Sequence, residues 1–246
     1  MISGIIIAKN SEELIAKAIN NLSFCSEIIV VDGGSIDETC EIAQKNGAKV
    51  IKGDNNDFSK QRMIGMEHAT GDYAFYLDTD ELASDELKEE ILKIDKNNEI
   101  LSAYYIKRQN YYLGNHKWPT IEKLQRLFKR KDFIKWSGRL HETPIFKGKV
   151  GNLNGYLLHF THRDLGSMLN KTIVWSDVEA KLRFDNKHPR VTWWRFFRVM
   201  LTGFYKSYIK ERGFLSGTAG IVESVYQGFS MFVTYAKLWE MQNKNK

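Results

Sequence analysis

Residues 61–81, QRMIGMEHATGDYAFYLDTDE, run from a helical stretch into a short apolar segment that ends in three carboxylates. Spacing predicts a helix near Ser59–Ala69 and a strand at Tyr73–Leu77. The same alternation precedes it. Ser3–Ala8 reads as a buried strand, and Asn10 with Glu13 reads as a capping-box start for a helix carrying Leu14, Ala18 and Leu22. Ile28–Val31 reads as a second strand running into Asp32-Gly33-Gly34-Ser35. Ser35 with Glu38 is a second candidate capping box, Gly47 a left-handed C-cap, and Ala48–Ile51 a third strand. Strands alternating with helices of this length imply a parallel sheet covered on both faces.

In such sheets ligands bind beyond the carboxyl ends of the strands. Four polar clusters fall there: Lys9-Asn10, Asp32 to Ser35, the segment after Ile51, and Asp78-Thr79-Asp80-Glu81. Three carboxylates within four residues repel one another, and a hard divalent cation, Mg²⁺ or Mn²⁺, is the usual reason to keep them together. The competing explanation is an acidic helix start, with Asp85 and Glu86 favouring the dipole of the next helix. Asp32 is placed to accept hydrogen bonds from a base or ribose, or else to shape a capping turn.

Beyond residue 100 the pattern changes. Residues 103–108 and 123–130 read as strands of a mixed sheet, separated by an aromatic loop at 111–119, and the chain turns helical near residue 164. Residues 1–163 therefore read as one α/β domain and 164–246 as a helical appendage. With 43% hydrophobic residues, three prolines and two cysteines, the 246-residue chain is neither disordered nor a disulfide or cysteine-zinc scaffold. The N-terminus lacks the marks of a secretory signal, which suggests a cytoplasmic protein. Its charge is split. Residues 1–100 hold 10 Lys+Arg against 20 Asp+Glu, and residues 101–246 hold 26 against 10. Such an imbalance points to different partners for the two parts.

IIIAKNSEE, IIVVDGGSIDET, FSKQRMIGMEHATGDYAFYLDTDE and WSGRLHETP occur in this order and resemble family 2 inverting glycosyltransferases of the GT-A fold. That fold is a Rossmann-like, nucleotide-sugar-binding sheet with helices on both faces. DTDE, the HE pair and the tail RGFLSGTAGIVESVYQGFSMFVTYAKLWE are similar to the lipopolysaccharide-core β-glycosyltransferase branch. The resemblance implies roles. Ala8 and Lys9 would meet the uracil of a UDP-sugar, Asp32 the nucleoside, and Gln61 and Arg62 the nucleotide. Asp80 would bind the metal directly, with Asp78 nearer the ribose and metal. Glu142, in Gly138-Arg139-Leu140-His141-Glu142, takes the position of the general base that an acceptor hydroxyl needs; read without the resemblance, it is an ordinary loop carboxylate. Lys9 stands where an aromatic is common, and Met63 where Asn is usual. His159 and His162 raise the question of a further metal ligand.

The expected activity is transfer of a hexose, glucose first, to a lipid-linked saccharide such as a lipopolysaccharide core. Alternatives are transfer to polyprenyl phosphate or another glycan, nucleotidyl transfer, and a non-catalytic membrane-peripheral adaptor. Residues 193–212, WWRFFRVMLTGFYKSYIKER, mix aromatic and basic side chains. This suits contact with an anionic membrane at the inner face of the cytoplasmic membrane, or a helix packed on the domain with a wet basic side. Nucleic acid is not expected, since no nucleic-acid motif accompanies the stretch.

Overall fold

A computed structural model describes residues 1–54, 57–94, 101–138 and 142–244. The first half alternates as expected: β1 (Ile2–Ala8), α1 (Glu12–Asn21), β2 (Glu27–Asp32), α2 (Thr39–Lys45), β3 (Lys49–Lys52), α3 (Phe58–His68) and β4 (Tyr73–Asp78). A short β5 (Glu81–Ala83), α4 (Asp85–Ile94), β6 (Leu101–Tyr112), β7 (His116–Lys129), β8 (Phe133–Ser137), β9 (Thr143–Phe146) and β10 (Lys149–Phe160) follow. Three long helices close the chain: α5 (Leu165–Asp185), α6 (Trp193–Tyr205) and α7 (Gly217–Lys244).

The main sheet has the order β3-β2-β1-β4-β7-β6-β10-β5, and β8 pairs with β9 separately. β3, β2, β1 and β4 are parallel, whereas β7 joins β4 antiparallel. Successive residues explain the continuous apolar runs. Ile6, Val30 and Phe75 enter one core, while Ile5, Ile29 and Tyr76 enter the core on the other face. The chain divides into two compact units, Met1–Gln109 with Glu122–His159, and Asn110–Ile121 with Phe160–Lys246.

Three local expectations need correction. Neither Asn10 nor Ser35 caps a helix: α1 starts after Ser11 and α2 after Glu38, without a side-chain cap at either. Instead the two residues tie neighbouring loops together. The Asn10 N–H donates to Ser35 Oγ at 2.9 Å, and Asn10 Oδ1 accepts from the Ile36 N–H at 2.9 Å. This exchange accounts for the positive φ of Asn10, 48°. The loop expected at 111–119 is mostly strand, because the chain reverses tightly at Leu113 and Gly114, both with positive φ. Tyr112 and Trp118 meet edge to face across that reversal, with ring centroids 4.8 Å apart. Gly47 does terminate α2 with φ 82°.

Candidate active site

Register brings the carboxyl ends of the parallel strands level, with Ala8 beside Asp32, Ile7 beside Asp78, and Asp32 beside Lys52. The connection after β1 leads to β2 on one side, and β4 returns on the other side of β1. β1 and β4 thus flank a topological switch point, where a crevice opens in folds of this kind. Asp32 is buried there. Its Oδ1 accepts from the Ser35 N–H at 3.0 Å, and its Oδ2 from the Gly34 N–H at 3.1 Å. A carboxylate offers about four acceptor sites, so these turn contacts leave capacity for a ligand. The Gly33 N–H donates to the Ala8 carbonyl at 2.8 Å. A Cβ at Gly33 would lie 2.9 Å from Gln61 Nε2, so the Gln61 side chain passes close over this turn.

Helix α3 starts at Asp57, whose carboxylate accepts from the Lys60 N–H, and it delivers Gln61 and Arg62 into the interior. Gln61 donates through Nε2 to the Asp54 carbonyl, while its Oε1 is buried without a partner. Arg62 reaches in two directions. Nη2 donates to Asp78 Oδ1 at 3.1 Å and Nε to Glu142 Oε1 at 3.1 Å. The guanidinium lies 5.2 Å from the centroid of the Trp136 ring and 5.6 Å from that of Tyr76, and its Nη1 is buried without a partner. Native structures leave few buried polar atoms unsatisfied. Gln61 and Arg62, adjacent on α3, thus each keep one buried polar atom without a protein partner, an acceptor on the first and a donor on the second.

Two arginines that sequence reasoning missed hold the acidic cluster. Arg126, buried on β7, donates through Nη2 to Asp78 Oδ2 at 2.5 Å and to Glu81 Oε1 at 3.3 Å. Arg108 on β6 donates to the same Glu81 oxygen at 3.1 Å. Glu81 is fully buried and also accepts from the Asp78 N–H at 3.1 Å. Burial alone would raise the Asp78 carboxyl, but the charges of Arg126 and Arg62 outweigh it and hold the group well below the usual carboxylate range. The repulsion read from the sequence is thus answered at Asp78 and Glu81 by guanidinium groups, and crowding alone does not demand a cation.

Asp80 is placed differently. Its Oδ2 lies 3.3 Å from His159 Nε2 at the end of β10. Among the described residues no group of three or more His, Cys, Asp or Glu side chains converges as a metal cage. The Asp80 carboxylate suits Mg²⁺ or Mn²⁺, hard ions that keep several waters and favour oxygen ligands, and the imidazole beside it is better suited to Mn²⁺ than to Mg²⁺. His162 faces other partners: both Glu223 oxygens lie 3.0 Å from its Nδ1, and it stacks on Tyr112 within the C-terminal unit. The two histidines therefore do not share a site. Lys9 is exposed beside the buried Ala8. Arg139, Leu140 and His141 lie outside the described residues.

The sheet carries acids to one switch point and continues into antiparallel strands, a mixed α/β architecture that agrees with the GT-A fold the sequence resemblance implies. The chain belongs to glycosyl transferase family 2, whose family model matches residues 3–150. An uncharacterized glycosyltransferase of Rickettsia typhi is 31% identical over 100% of this chain and 89% of its own length. The lipopolysaccharide core biosynthesis glycosyltransferase LpsC of Rhizobium meliloti is 25% identical over 97% of this chain and 92% of its own. Among solved structures, S. aureus TarS 1–349 in complex with UDP-GlcNAc is 14% identical with a TM-score of 0.49, covering 100% of this chain and 92% of that one.

Proposed function

We propose that this glycosyltransferase moves a hexose, glucose first, from a UDP-sugar to a saccharide on a lipid-linked acceptor such as a lipopolysaccharide core, with inversion at the anomeric carbon. The observation that supports the reading is the pair of hydrogen bonds by which Arg62 joins Glu142 to Asp78, the last residue of β4. The relationship to LpsC supports the choice of acceptor. Residues 1–163 form the catalytic domain in this reading, and 164–246 an appendage that meets the inner face of an anionic membrane.

Ala8, Lys9 and Asp32 receive the uridine, and Gln61 and Arg62 line the nucleotide site. Glu142, oriented by Arg62, takes the proton from the acceptor hydroxyl as its oxygen attacks the anomeric carbon. The bond to the diphosphate oxygen breaks on the opposite face. Asp80 and His159, with Asp78 alongside, would hold Mn²⁺ or Mg²⁺, and the ion would supply positive charge to stabilise the diphosphate leaving group.

A thermal-shift panel of nucleotide sugars tests the donor. A ligand at one hundred times its dissociation constant stabilises the native state by about 2.7 kcal/mol. UDP-glucose should raise the melting temperature with Mn²⁺ present and lose that effect in EDTA, and Asp80→Asn should remove the metal dependence. Equal stabilisation with and without Mn²⁺ would sink the metal assignment. Stabilisation by another nucleotide's sugars alone would sink the UDP donor.

A further inference from the structure

The C-terminal unit has a modest apolar core, with Ala180, Val191, Val199, Tyr235 and Leu238 buried. Beside that core its helices also meet through small and polar residues. A Cβ at Gly203 of α6 would lie 2.9 Å from the Gln227 carbonyl oxygen of α7, and one at Gly228 of α7 would lie 2.9 Å from the Met200 carbonyl oxygen. Thr172 and Ser176 of α5 are buried, and Ser207 and Ser224 share a buried hydrogen bond of 3.0 Å. Many other large apolar side chains are exposed. Val174 is 62% exposed, Trp193 76%, Phe197 64%, Leu201 68% and Val225 56%. Small residues between helices with aliphatic and aromatic residues outside are the pattern of helices that contact lipid. In a soluble unit, exposed apolar area on this scale marks an interaction surface.

Along α6 the exposed residues Trp193, Phe197, Leu201 and Tyr205 recur every four positions and form one stripe. Basic groups border it. The Arg195 and Arg198 guanidiniums each lie 5.3 Å from the centroid of the Trp194 ring. From 187 to 212 there are seven Lys or Arg residues and one acid, Glu211. None of the described helices is long and apolar enough to cross a membrane. At about 1.5 Å per residue α6 is shorter than the ~30 Å hydrocarbon layer, so it has the length of a helix lying in the interface.

We propose that α6 lies in the headgroup layer of an anionic bilayer, with the Trp193–Tyr205 stripe at the acyl boundary and Arg195 and Arg198 at lipid phosphates. This deepens the peripheral-membrane part of the function proposed above, from charge attraction to shallow insertion by a defined helix face. Charge decides between a bilayer and a second copy of the chain. A self-complementary contact through this face would set one cationic surface on another, which costs binding energy, whereas anionic lipid complements it.

The test uses the full chain with vesicles of phosphatidylcholine alone or mixed with phosphatidylglycerol, and no sugar transfer is measured. Failure here therefore leaves the enzyme reading standing. The wild type should sediment with the anionic vesicles. Arg195→Gln with Arg198→Gln should weaken partitioning roughly thirtyfold, as expected from losing two interfacial charges. Phe197→Asp with Leu201→Asp should abolish binding while leaving circular dichroism unchanged, since both side chains are exposed. Brominated acyl chains should quench the bound protein's tryptophan emission, and less so in Trp193→Phe. Failure of the wild type to bind anionic vesicles at low salt overturns the proposal, and binding without quenching overturns insertion. A vesicle-free dimer that Phe197→Asp with Leu201→Asp converts to monomer overturns the bilayer in favour of a second copy.

Discussion

Glu142→Gln should leave UDP-sugar binding nearly unchanged and lower the turnover number by roughly 10²–10⁴, the usual contribution of general-base catalysis. The two side chains have almost the same shape, and the amide oxygen can still accept the 3.1 Å hydrogen bond from Arg62 Nε. What is lost is the ability to take a proton. The split between kcat and donor affinity is the deciding measurement, because a residue that only shapes the nucleotide crevice would show the reverse. A variant with wild-type turnover and weakened UDP-sugar binding would remove Glu142 from the base role. Arg62→Lys provides a second comparison. Lysine keeps the charge but has no planar fork to reach Asp78 and Glu142 together, so turnover should fall even though both carboxylates remain.

The parallel half of the sheet was legible because its central strands β1 and β4 are buried on both faces, which leaves the continuous apolar runs Ile5-Ile6-Ile7 and Phe75-Tyr76-Leu77. The polar residues at the ends of those runs were legible for the same reason, since the strand ends are where the apolar code stops. Asn10 and Ser35 were misread because their short polar side chains serve helix caps and loop-to-loop bonds equally well, and only the spatial neighbourhood of β1 and β2 decides. Arg126 was hidden among Lys123, Lys129 and Arg130. Nothing local marks which cation of a basic strand turns inward. The available signal was indirect: Arg126 lies two residues before the buried Phe128 and so shares its strand face. The C-terminal helices were legible as helices, but residues that are apolar on several sides do not reveal which side packs. There it took backbone approach at Gly203 and Gly228 to distinguish inside from outside.

Arg126→Met should strongly destabilise the unit built on the parallel strands while leaving its hydrophobic cores intact. Removing one partner of a buried ion pair leaves the other charge uncompensated, at a cost of about 3–5 kcal/mol. Here Asp78 would retain Arg62 and Glu81 would retain Arg108, so the lower part of that range is expected at neutral pH. The pH dependence identifies the cause. The folded-state carboxyl of Asp78 is held below its ordinary value of 3.8 by Arg126 and Arg62, against the opposing effect of burial. A depressed carboxyl contributes stability that is complete above its unfolded pKa and is lost as pH falls through the folded one. The unfolded states titrate alike and cancel, so the stability gap between wild type and Arg126→Met should be constant near neutral pH and narrow as the pH falls below the folded-state value of Asp78 in the variant, toward the lower one in the wild type. Urea unfolding of both proteins across that range measures the gap, and the acid sensitivity common to the two cancels in the difference. A gap that persists unchanged to about pH 2 would mean that Arg126 supports the fold through packing of its stem against the sheet rather than through Asp78. In that case Arg126→Lys, which keeps the stem and the charge, should restore stability almost completely. If the ion pair is the source, lysine should recover only part of it, because a single ammonium lacks the fork that lets Arg126 serve Asp78 and Glu81 at once.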